Sequence, residues 1–160
     1  MPSPAVLPKK PGSDCAPPRL REATVADAAA LADLYAVARP RLGLGAADFR
    51  AWLALNGALL VEEEVDGVVA ALRYQEEGDG WRVEPIVTHP EHRGQAYGRW
   101  LMTKVEADAI RTNVPCLTLT LTDPAVLPYY HRLGYRPSGT DPLELSKRVG
   151  GVWQRRNGTP

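Results

Sequence analysis

The segment from Arg82 to Arg111 constrains the fold most, because its pattern predicts a strand, a basic glycine-containing turn and a helix in direct succession. Val83 to Thr88 is a short apolar run rich in β-branched side chains, and Pro90 ends it. Such a run favours a buried or half-buried strand. From Gly98 onward, apolar residues recur at steps of three and four, which predicts a helix with one buried face.

The turn between these elements, Arg93 to Gly98, has the composition of an anion-binding site. A helix N-terminus exposes about four unpaired N–H groups and the positive end of the helix dipole. Gly94 and Gly98 let a ligand approach the backbone, and Arg93 and Arg99 add positive charge. The turn therefore predicts a phosphate or pyrophosphate site. The alternative is a glycine turn whose arginines are only solvated.

Two other nucleotide-binding motifs do not fit this turn. A P-loop requires lysine and then serine or threonine after its last glycine, whereas Gly98 is followed by Arg99 and Trp100. A dinucleotide-binding fold needs several βαβ units. Asp123 imitates its ribose-binding acid, but only 37 residues follow it.

Two motifs together indicate a family. The first is the strand end Thr88-His89-Pro90 followed by Arg93-Gly94-Gln95-Ala96-Tyr97-Gly98, and the second is Ala125 to Tyr135, AVLPYYHRLGY. They resemble the R-G-x-G-x-G/A and A-x-x-F-Y-x-x-x-G-F segments of the GNAT superfamily of N-acetyltransferases. Ala96 stands in place of the middle glycine. With the opening LREATVADAAALADLY, the resemblance covers roughly residues 19 to 148.

The pattern along the chain predicts an α+β fold, a GNAT-like mixed and mostly antiparallel twisted sheet with helices on both faces. The predicted strands are Leu20–Ala23, Leu59–Glu64, Val68–Tyr74, Trp81–Thr88, Cys116–Thr122, Tyr135–Arg136 and Leu143–Val149. The first predicted helix is the run AAALADLYAVAR, which comes after the capping signal at Thr24 and Asp27 and ends at Arg39. The others are Ala46–Leu55, Gly98–Arg111 and Asp123–Leu133. Asp66-Gly67 marks a hairpin, and Thr24 with Asp27 imitates a capping box.

Composition fits one globular domain, since the 160 residues are 44% hydrophobic and 24% charged. Nineteen basic and nineteen acidic residues cancel, which gives no electrostatic case for nucleic acid or an anionic membrane surface. No apolar run approaches the roughly eighteen residues that a membrane span needs.

We expect a disordered proline-rich leader at residues 1–18, the N-acetyltransferase domain at 19–149 and a flexible tail at 150–160. Cys15 and Cys116 show neither metal-site nor disulfide spacing, so no metal site is predicted. A reducing cytoplasm is the expected location, and a homodimer is left open.

The resemblance implies that acetyl-CoA is the co-substrate. Its pantetheine arm would pair with the strand end at Ile86, Val87 and Thr88, like an added strand. Its pyrophosphate would lie on the backbone of the turn at Arg93, Gly94, Gln95, Ala96, Tyr97, Gly98 and Arg99. Asp123 occupies a position where the family often has a cofactor-contacting asparagine.

The resemblance also implies two catalytic residues. Tyr130 matches the tyrosine that protonates the leaving thiolate, and Glu84 is the candidate base, on the strand face of Ile86 if no bulge intervenes. The alternatives are that Tyr130 only packs against the sheet and that Glu84 pairs with Arg73 or Arg82. The three histidines, His89, His92 and His131, are predicted to be exposed turn and helix residues rather than bases.

The predicted function is therefore acetyl transfer from acetyl-CoA to a primary amine of a small molecule or peptide, by direct attack on the thioester. Arg39, Arg41, Arg50 and Trp52 are candidates for acceptor contact. A non-catalytic acyl-CoA-binding module is the main alternative, and a dinucleotide-binding protein with affinity for NAD is a third hypothesis.

Overall fold

The computed structural model describes residues 15–150 of the chain. The strands are β1 Arg19–Glu22, β2 Gly57–Glu63, β3 Gly67–Glu77, β4 Gly80–Val83, β5 Val87–Thr88, β6 Cys116–Thr120, β7 Arg136–Pro137 and β8 Glu144–Arg148. The helices are α1 Ala28–Ala38, α2 Ala46–Leu55, α3 Tyr97–Arg111 and α4 Leu127–Arg132. Short 3-10 turns occupy Val25–Asp27, Pro40–Leu42, Pro90–His92 and Pro124–Val126.

The strands form one sheet in the order β1-β2-β3-β4-β6-β8-β7, and β5 pairs with β3 beside β4. The pairing of β4 with β6 is parallel, and the other strand pairs are antiparallel. Helix α3 lies in the crossover between these two parallel strands, as parallel neighbours require. The predicted mixed, mostly antiparallel sheet is confirmed.

Helices cover both faces of the sheet. On one face, Leu31 and Tyr35 of α1 and Phe49 of α2 pack against Leu60 and Val87. On the other face, α3 buries an apolar stripe at the spacing that the sequence predicted, and α4 packs beside it. That stripe is Leu101, Met102, Val105 and Ala109. Each large apolar side chain contributes about 2 kcal/mol by leaving water.

Two local predictions are confirmed. The Asp66-Gly67 turn joins β2 to β3, with Gly67 at a φ of 68°, a backbone region that favours glycine. The carboxylate of Asp27 accepts a hydrogen bond from the backbone N–H of Thr24 at 2.8 Å and one from each terminal nitrogen of Arg21. The hydrogen bonding from Arg21, which has the largest effect, and the bond from Thr24 hold the pKa of Asp27 below its ordinary value.

The predicted strand Trp81–Thr88 is wrong as one continuous strand. It ends at Val83, resumes at Val87 and is interrupted by Glu84, Pro85 and Ile86. Tyr74 of β3 pairs with Val83, and Ala71 of β3 pairs with Val87. The broken strand therefore advances four residues where β3 advances three. One extra residue is therefore accommodated as a bulge.

Most of the predicted leader and tail lies outside the described residues. Near the described N-terminus, the backbone N–H of Ala16 donates to the carboxylate of Glu64 at 2.6 Å. Between residues 15 and 150, no helix combines the length and the hydrophobicity needed to cross a membrane.

Candidate active site

A cavity of about 550 Å³ opens where the broken strand separates from β6. The parallel pairing of β4 with β6 covers only Trp81 and Arg82, so the two chain segments diverge after that point. The cavity is lined from five directions, by the end of α1, the broken strand, the turn before α3, the end of β6 and α4. Its lining residues are Ala38, Arg39, Pro85, Ile86, Thr88, Arg93, Gly98, Leu121, Thr122, Asp123, Val126, Tyr129 and Tyr130.

The N-terminus of α3 faces this cavity through Gly98. The helix has no side-chain cap, because Ala96 occupies the cap position, and its first turn contains no acidic residue. Its first amides therefore lack intrahelical acceptors. Arg93 and Arg99 are exposed, and neither forms an ion pair with a residue in the described range. Unpaired amides and unpaired guanidinium groups together suit a phosphate ligand.

The turn adopts backbone angles that explain its glycines. Gly94 has a φ of 81°, in the left-handed region. At Gly98, an added Cβ would lie 3.4 Å from Cδ1 of Ile86, so the helix packs closely against the broken strand. Ala96 has a φ of 62° although it carries a side chain. The family pattern has glycine at this position, and the backbone keeps the conformation that glycine prefers.

Several residues predicted to bind cofactor do reach the cavity, namely Ile86, Thr88, Arg93, Gly98 and Asp123. Val87 does not, because its side chain is buried in the core against α1. Tyr97 is also buried, and its hydroxyl donates to Oε1 of Glu63 on the side of the β2–β3 hairpin. Gly94, Gln95, Ala96 and Arg99 are not among the lining residues.

Tyr129 and Tyr130 both line the cavity, and their rings meet edge to face with centroids 5.1 Å apart. Burial raises the pKa of Tyr130 to about 12, while the charge of Arg39 acts in the opposite direction. Burial also raises the pKa of Tyr129, which Arg99 opposes. The hydroxyl of Tyr129 is buried and forms no hydrogen bond. The charge of Arg39, after α1, thus acts on Tyr130, and the charge of Arg99, in the first turn of α3, acts on Tyr129.

Glu84 lies apart from the predicted position. The bulge separates it from Ile86, which packs on the α3 side of the sheet. Burial raises the pKa of Tyr35 of α1, and the charge of Glu84 adds a smaller effect in the same direction, which is consistent with Glu84 on the α1 side. Its backbone N–H donates to the carbonyl of Arg73 at 2.8 Å, and it is not among the residues that line the cavity.

The alternative ion pairs of Glu84 do not form within the described residues. Arg82 pairs with Glu77 and Glu144 instead. The guanidinium of Arg73 bonds the hydroxyl of Tyr35 and lies 4.6 Å from the ring centroid of Trp52.

Of the residues predicted to contact an acceptor, Arg39 reaches the cavity. Arg41 and Arg50 are exposed on the neighbouring turn and helix. Trp52 is held by a hydrogen bond from its indole N–H to the carbonyl of Gly57 at 2.9 Å. Arg39 forms no ion pair within the described part of the chain, so its charge is available to a ligand.

Asp123 has a local structural role besides its place at the cavity. Its carboxylate accepts the backbone N–H of Ala125 at 2.9 Å and so caps the 3-10 turn that leads into α4. This bond keeps the chain reversal after β6 in place. An acid performs this capping as well as an amide does.

The structure also brings together three residues that the sequence pattern did not assign to a site, Glu63, Asp66 and His92. His92 was predicted to be exposed, but it is only 9% exposed. A carboxylate at the end of one strand and a histidine about thirty residues later show no local spacing signal. Only the contact between the hairpin and the turn before α3 reveals the cluster.

Comparisons with known proteins agree with this geometry. A family model described as an acetyltransferase (GNAT) domain matches residues 48–137, which is more than half of the chain. A comparison with curated proteins gives no match.

Solved structures share the fold at low sequence identity. The PaiA N-acetyltransferase of Thermoplasma acidophilum, in complex with coenzyme A, is 10% identical, with 83% of this chain and 99% of that chain covered and a TM-score of 0.70. The ribosomal-protein-S18-alanine N-acetyltransferase of Escherichia coli is 16% identical, with coverage of 84% and 96% and a TM-score of 0.70.

The yncA structure from Salmonella typhimurium, solved with its cofactor acetyl-CoA, is 21% identical, with coverage of 84% and 95% and a TM-score of 0.64. At these identities the likeness shows the fold. The family match, together with the helix N-terminus at the divergence of two parallel strands, identifies the chain as a member of the GNAT acetyltransferase family.

Proposed function

We propose that this protein transfers the acetyl group of acetyl-CoA to a primary amine of a small molecule or peptide. The observation that carries the proposal is that one cavity contains both an uncapped helix N-terminus, at Gly98, and a buried phenol, at Tyr130. The first suits a phosphate-bearing cofactor and the second suits proton donation. Two solved proteins of the same fold carry coenzyme A or acetyl-CoA.

The pyrophosphate of the cofactor would lie on the amides from Arg93 to Arg99. The pantetheine arm would extend between Thr88 and the end of β6, where the edge after β4 has no strand partner. A peptide-like arm can form backbone hydrogen bonds with such an edge. The thioester would then lie between the broken strand and α4.

Transfer requires the neutral amine to attack the thioester carbonyl. A carbon–nitrogen bond forms, a tetrahedral intermediate collapses and the carbon–sulfur bond breaks, which releases the thiolate. Tyr130 would give its phenolic proton to that thiolate. The raised pKa of about 12 keeps the phenol protonated at neutral pH. For each unit by which the pKa of Tyr130 exceeds that of the thiol, proton transfer costs about 1.4 kcal/mol. Burial of the thiolate in the same cavity raises the pKa of the thiol and so reduces this difference.

The amine must lose a proton as it attacks. Glu84 would take that proton through a water molecule, because the carboxylate does not line the cavity. Arg39 would contact the acceptor, since its unpaired guanidinium lies at the cavity on the α1 side, near Tyr130. This position favours an acceptor that carries an anionic group beside its amine.

Release of free coenzyme A tests the proposal. The full chain is incubated with acetyl-CoA and a panel of small amines, polyamines, amino acids and peptide N-termini, and thiol and acetylated product are measured. We expect thiol release that depends on one class of amine. Stabilisation by acetyl-CoA without release with any amine would favour the acyl-CoA-binding module. Stabilisation by NAD and not by acetyl-CoA would favour the dinucleotide hypothesis.

A further inference from the structure

The cluster of Glu63, Asp66 and His92 lies outside the cavity, where the turn of the β2–β3 hairpin meets the 3-10 turn before α3. One oxygen or nitrogen from each side chain lies within 4.8 Å of the other two. Nδ1 of His92 is 3.3 Å from Oε2 of Glu63, and Nε2 is 3.1 Å from Oδ2 of Asp66. Two segments that are distant in sequence thus present three ligand-type side chains to one another.

The imidazole of His92 is the observation that points to a ligand. The residue is 91% buried, and its Nδ1 atom is inaccessible and forms no hydrogen bond. Nδ1 is within ion-pair distance of Glu63 but makes no hydrogen bond to it, and native proteins rarely leave a buried polar atom without a hydrogen bond. Nδ1 points toward the carboxylate of Glu63, which is the direction in which a bound ion would satisfy it.

Glu63 is oriented by a second residue. The hydroxyl of Tyr97 donates to Oε1 of Glu63, which leaves Oε2 directed at His92. Hydrogen bonds that orient a ligating carboxylate in this way are typical of metal sites.

The charge of the cluster also favours a bound cation. Two carboxylates face one imidazole, and no lysine or arginine of the described residues forms an ion pair with Glu63 or Asp66. The side chain of Glu63 is only 21% exposed, so water screens its charge incompletely. A dication would balance both carboxylates.

We propose that Glu63, Asp66 and His92 form a binding site for a divalent transition-metal ion of the Zn²⁺ or Mn²⁺ type. One imidazole and two carboxylates are ligands that both ions accept. With metal–ligand bonds of about 2.0 to 2.2 Å, the ligand atoms of a tetrahedral site lie about 3.3 Å apart. The 3.3 Å contact between Nδ1 of His92 and Oε2 of Glu63 already has this spacing.

One ion can bond only one ring nitrogen, so the third ligand must move slightly to complete the site. Asp66 is able to do so, because its side chain is 55% exposed on the hairpin turn. The exposed side of the site leaves room for water as a further ligand. The ion would hold the β2–β3 hairpin to the segment from Pro90 to Tyr97, which precedes the cofactor-binding helix.

Metal titration of the full chain, first treated with a chelator, tests the site. Calorimetry with Zn²⁺ and electron paramagnetic resonance with Mn²⁺ should each show one ion bound per chain. Asp66→Asn changes an exposed turn residue and leaves the fold intact, and it should weaken binding at least tenfold. Glu91→Gln is the matched control, since Glu91 is exposed beside His92 and its side chain forms no contact. The zinc titration uses a Cys15→Ser/Cys116→Ser background, so that thiolates cannot bind the ion.

Two further readouts separate the site from adventitious binding. Tyr97→Phe keeps the buried ring but removes the bond to Glu63, and it should weaken metal affinity about tenfold. Hydrogen exchange at residues 91–97 should slow when the ion is added, because these amides would be held to the hairpin. Absence of stoichiometric binding, equal affinity in Asp66→Asn and Glu91→Gln, or unchanged exchange at this segment would each overturn the proposal.

Discussion

Val83 and Val87, four residues apart, lie on opposite faces of the sheet. Val83 packs in the core against α3, and Val87 packs in the core against α1. In a regular strand, residues four apart share a face. The extra residue in the interruption Glu84–Ile86 reverses the alternation, so the strand after the bulge is turned over relative to the strand before it.

This reversal shapes the site. It ends the pairing with β6 after Arg82 and opens a gap in which Ile86 and Thr88 line the cavity. It also places Glu84 on the α1 side, near Tyr35. Glu84, proposed to accept a proton, and Ile86, proposed to line the cofactor site, thus face opposite sides of the sheet within one bulge.

Gly98→Asp should weaken acetyl-CoA binding by at least tenfold, because it places a negative side chain at the helix N-terminus where phosphate is proposed to bind. Gly98 lines the cavity, and its new Cβ would meet Cδ1 and Cγ2 of Ile86 at 3.4 and 3.5 Å, which is ordinary van der Waals contact. The variant should therefore fold. Calorimetric titration with acetyl-CoA measures the effect.

Gly139→Asp is the control for this change. It makes the same substitution at a glycine with open space around it, outside the cavity. Its affinity for acetyl-CoA should equal that of the wild type. Equal affinities in all three proteins would place the phosphates of the cofactor elsewhere.

Ala96→Gly should stabilise the protein by up to about 1 kcal/mol. Ala96 has a φ of 62°, which costs a side-chain-bearing residue about 1 to 2 kcal/mol, and glycine removes that cost while adding some entropy to the unfolded chain. Urea unfolding measures the change. Ala51→Gly, in the exposed middle of α2, should instead lower stability by about 1 kcal/mol. A loss of stability in Ala96→Gly would contradict the strain assigned to this position.

The folding stability should fall as the pH rises from 10 to 12. Burial raises the pKa of Tyr74 and of Tyr130 to about 12, whereas both titrate near 10 in the unfolded chain. Between these values the folded state keeps protons that the unfolded state has lost, so rising pH favours unfolding. Urea midpoints at pH 9 and 11.5 measure the loss. Tyr130→Phe should show a smaller loss than the wild type, and an equal loss would mean that Tyr130 is not buried in solution.

The sequence predicted those parts of the fold that depend on local pattern. The helix Ala46–Leu55, the Asp66-Gly67 turn and the apolar stripe of α3 are found where periodicity and turn chemistry placed them. These signals are local because they arise from neighbouring residues on one helix or in one turn.

The features of the structure that the sequence did not predict depend on long-range packing. Pro85 lies in the interruption Glu84–Ile86, and proline inside a strand is a signal for a bulge or an edge, but the sequence alone does not show that one extra residue is inserted or which face each neighbour takes. Tyr97 belongs to the turn that the motif assigned to cofactor binding, and His92 was predicted to be exposed just before that turn, yet both side chains point toward Glu63. Their direction depends on the hairpin, which lies about thirty residues earlier in the chain.

Single-turnover acetyl transfer by Tyr130→Phe tests most directly whether Tyr130 donates the proton to the leaving thiolate. The substitution keeps the packing of the ring and removes only the hydroxyl, so acetyl-CoA affinity should stay the same. The rate of acetyl transfer at saturating acetyl-CoA and amine should fall by roughly 10² to 10⁴. Single-turnover conditions prevent product release from masking the chemical step.

Tyr129→Phe is the matched comparison, because Tyr129 also lines the cavity and removal of its hydroxyl likewise leaves the ring in place. We expect Tyr129→Phe to transfer acetyl at the wild-type rate and Tyr130→Phe to bind acetyl-CoA normally while transferring slowly. Full single-turnover rate in Tyr130→Phe, or a loss of rate in Tyr129→Phe alone, would contradict the assignment of Tyr130 as the proton donor.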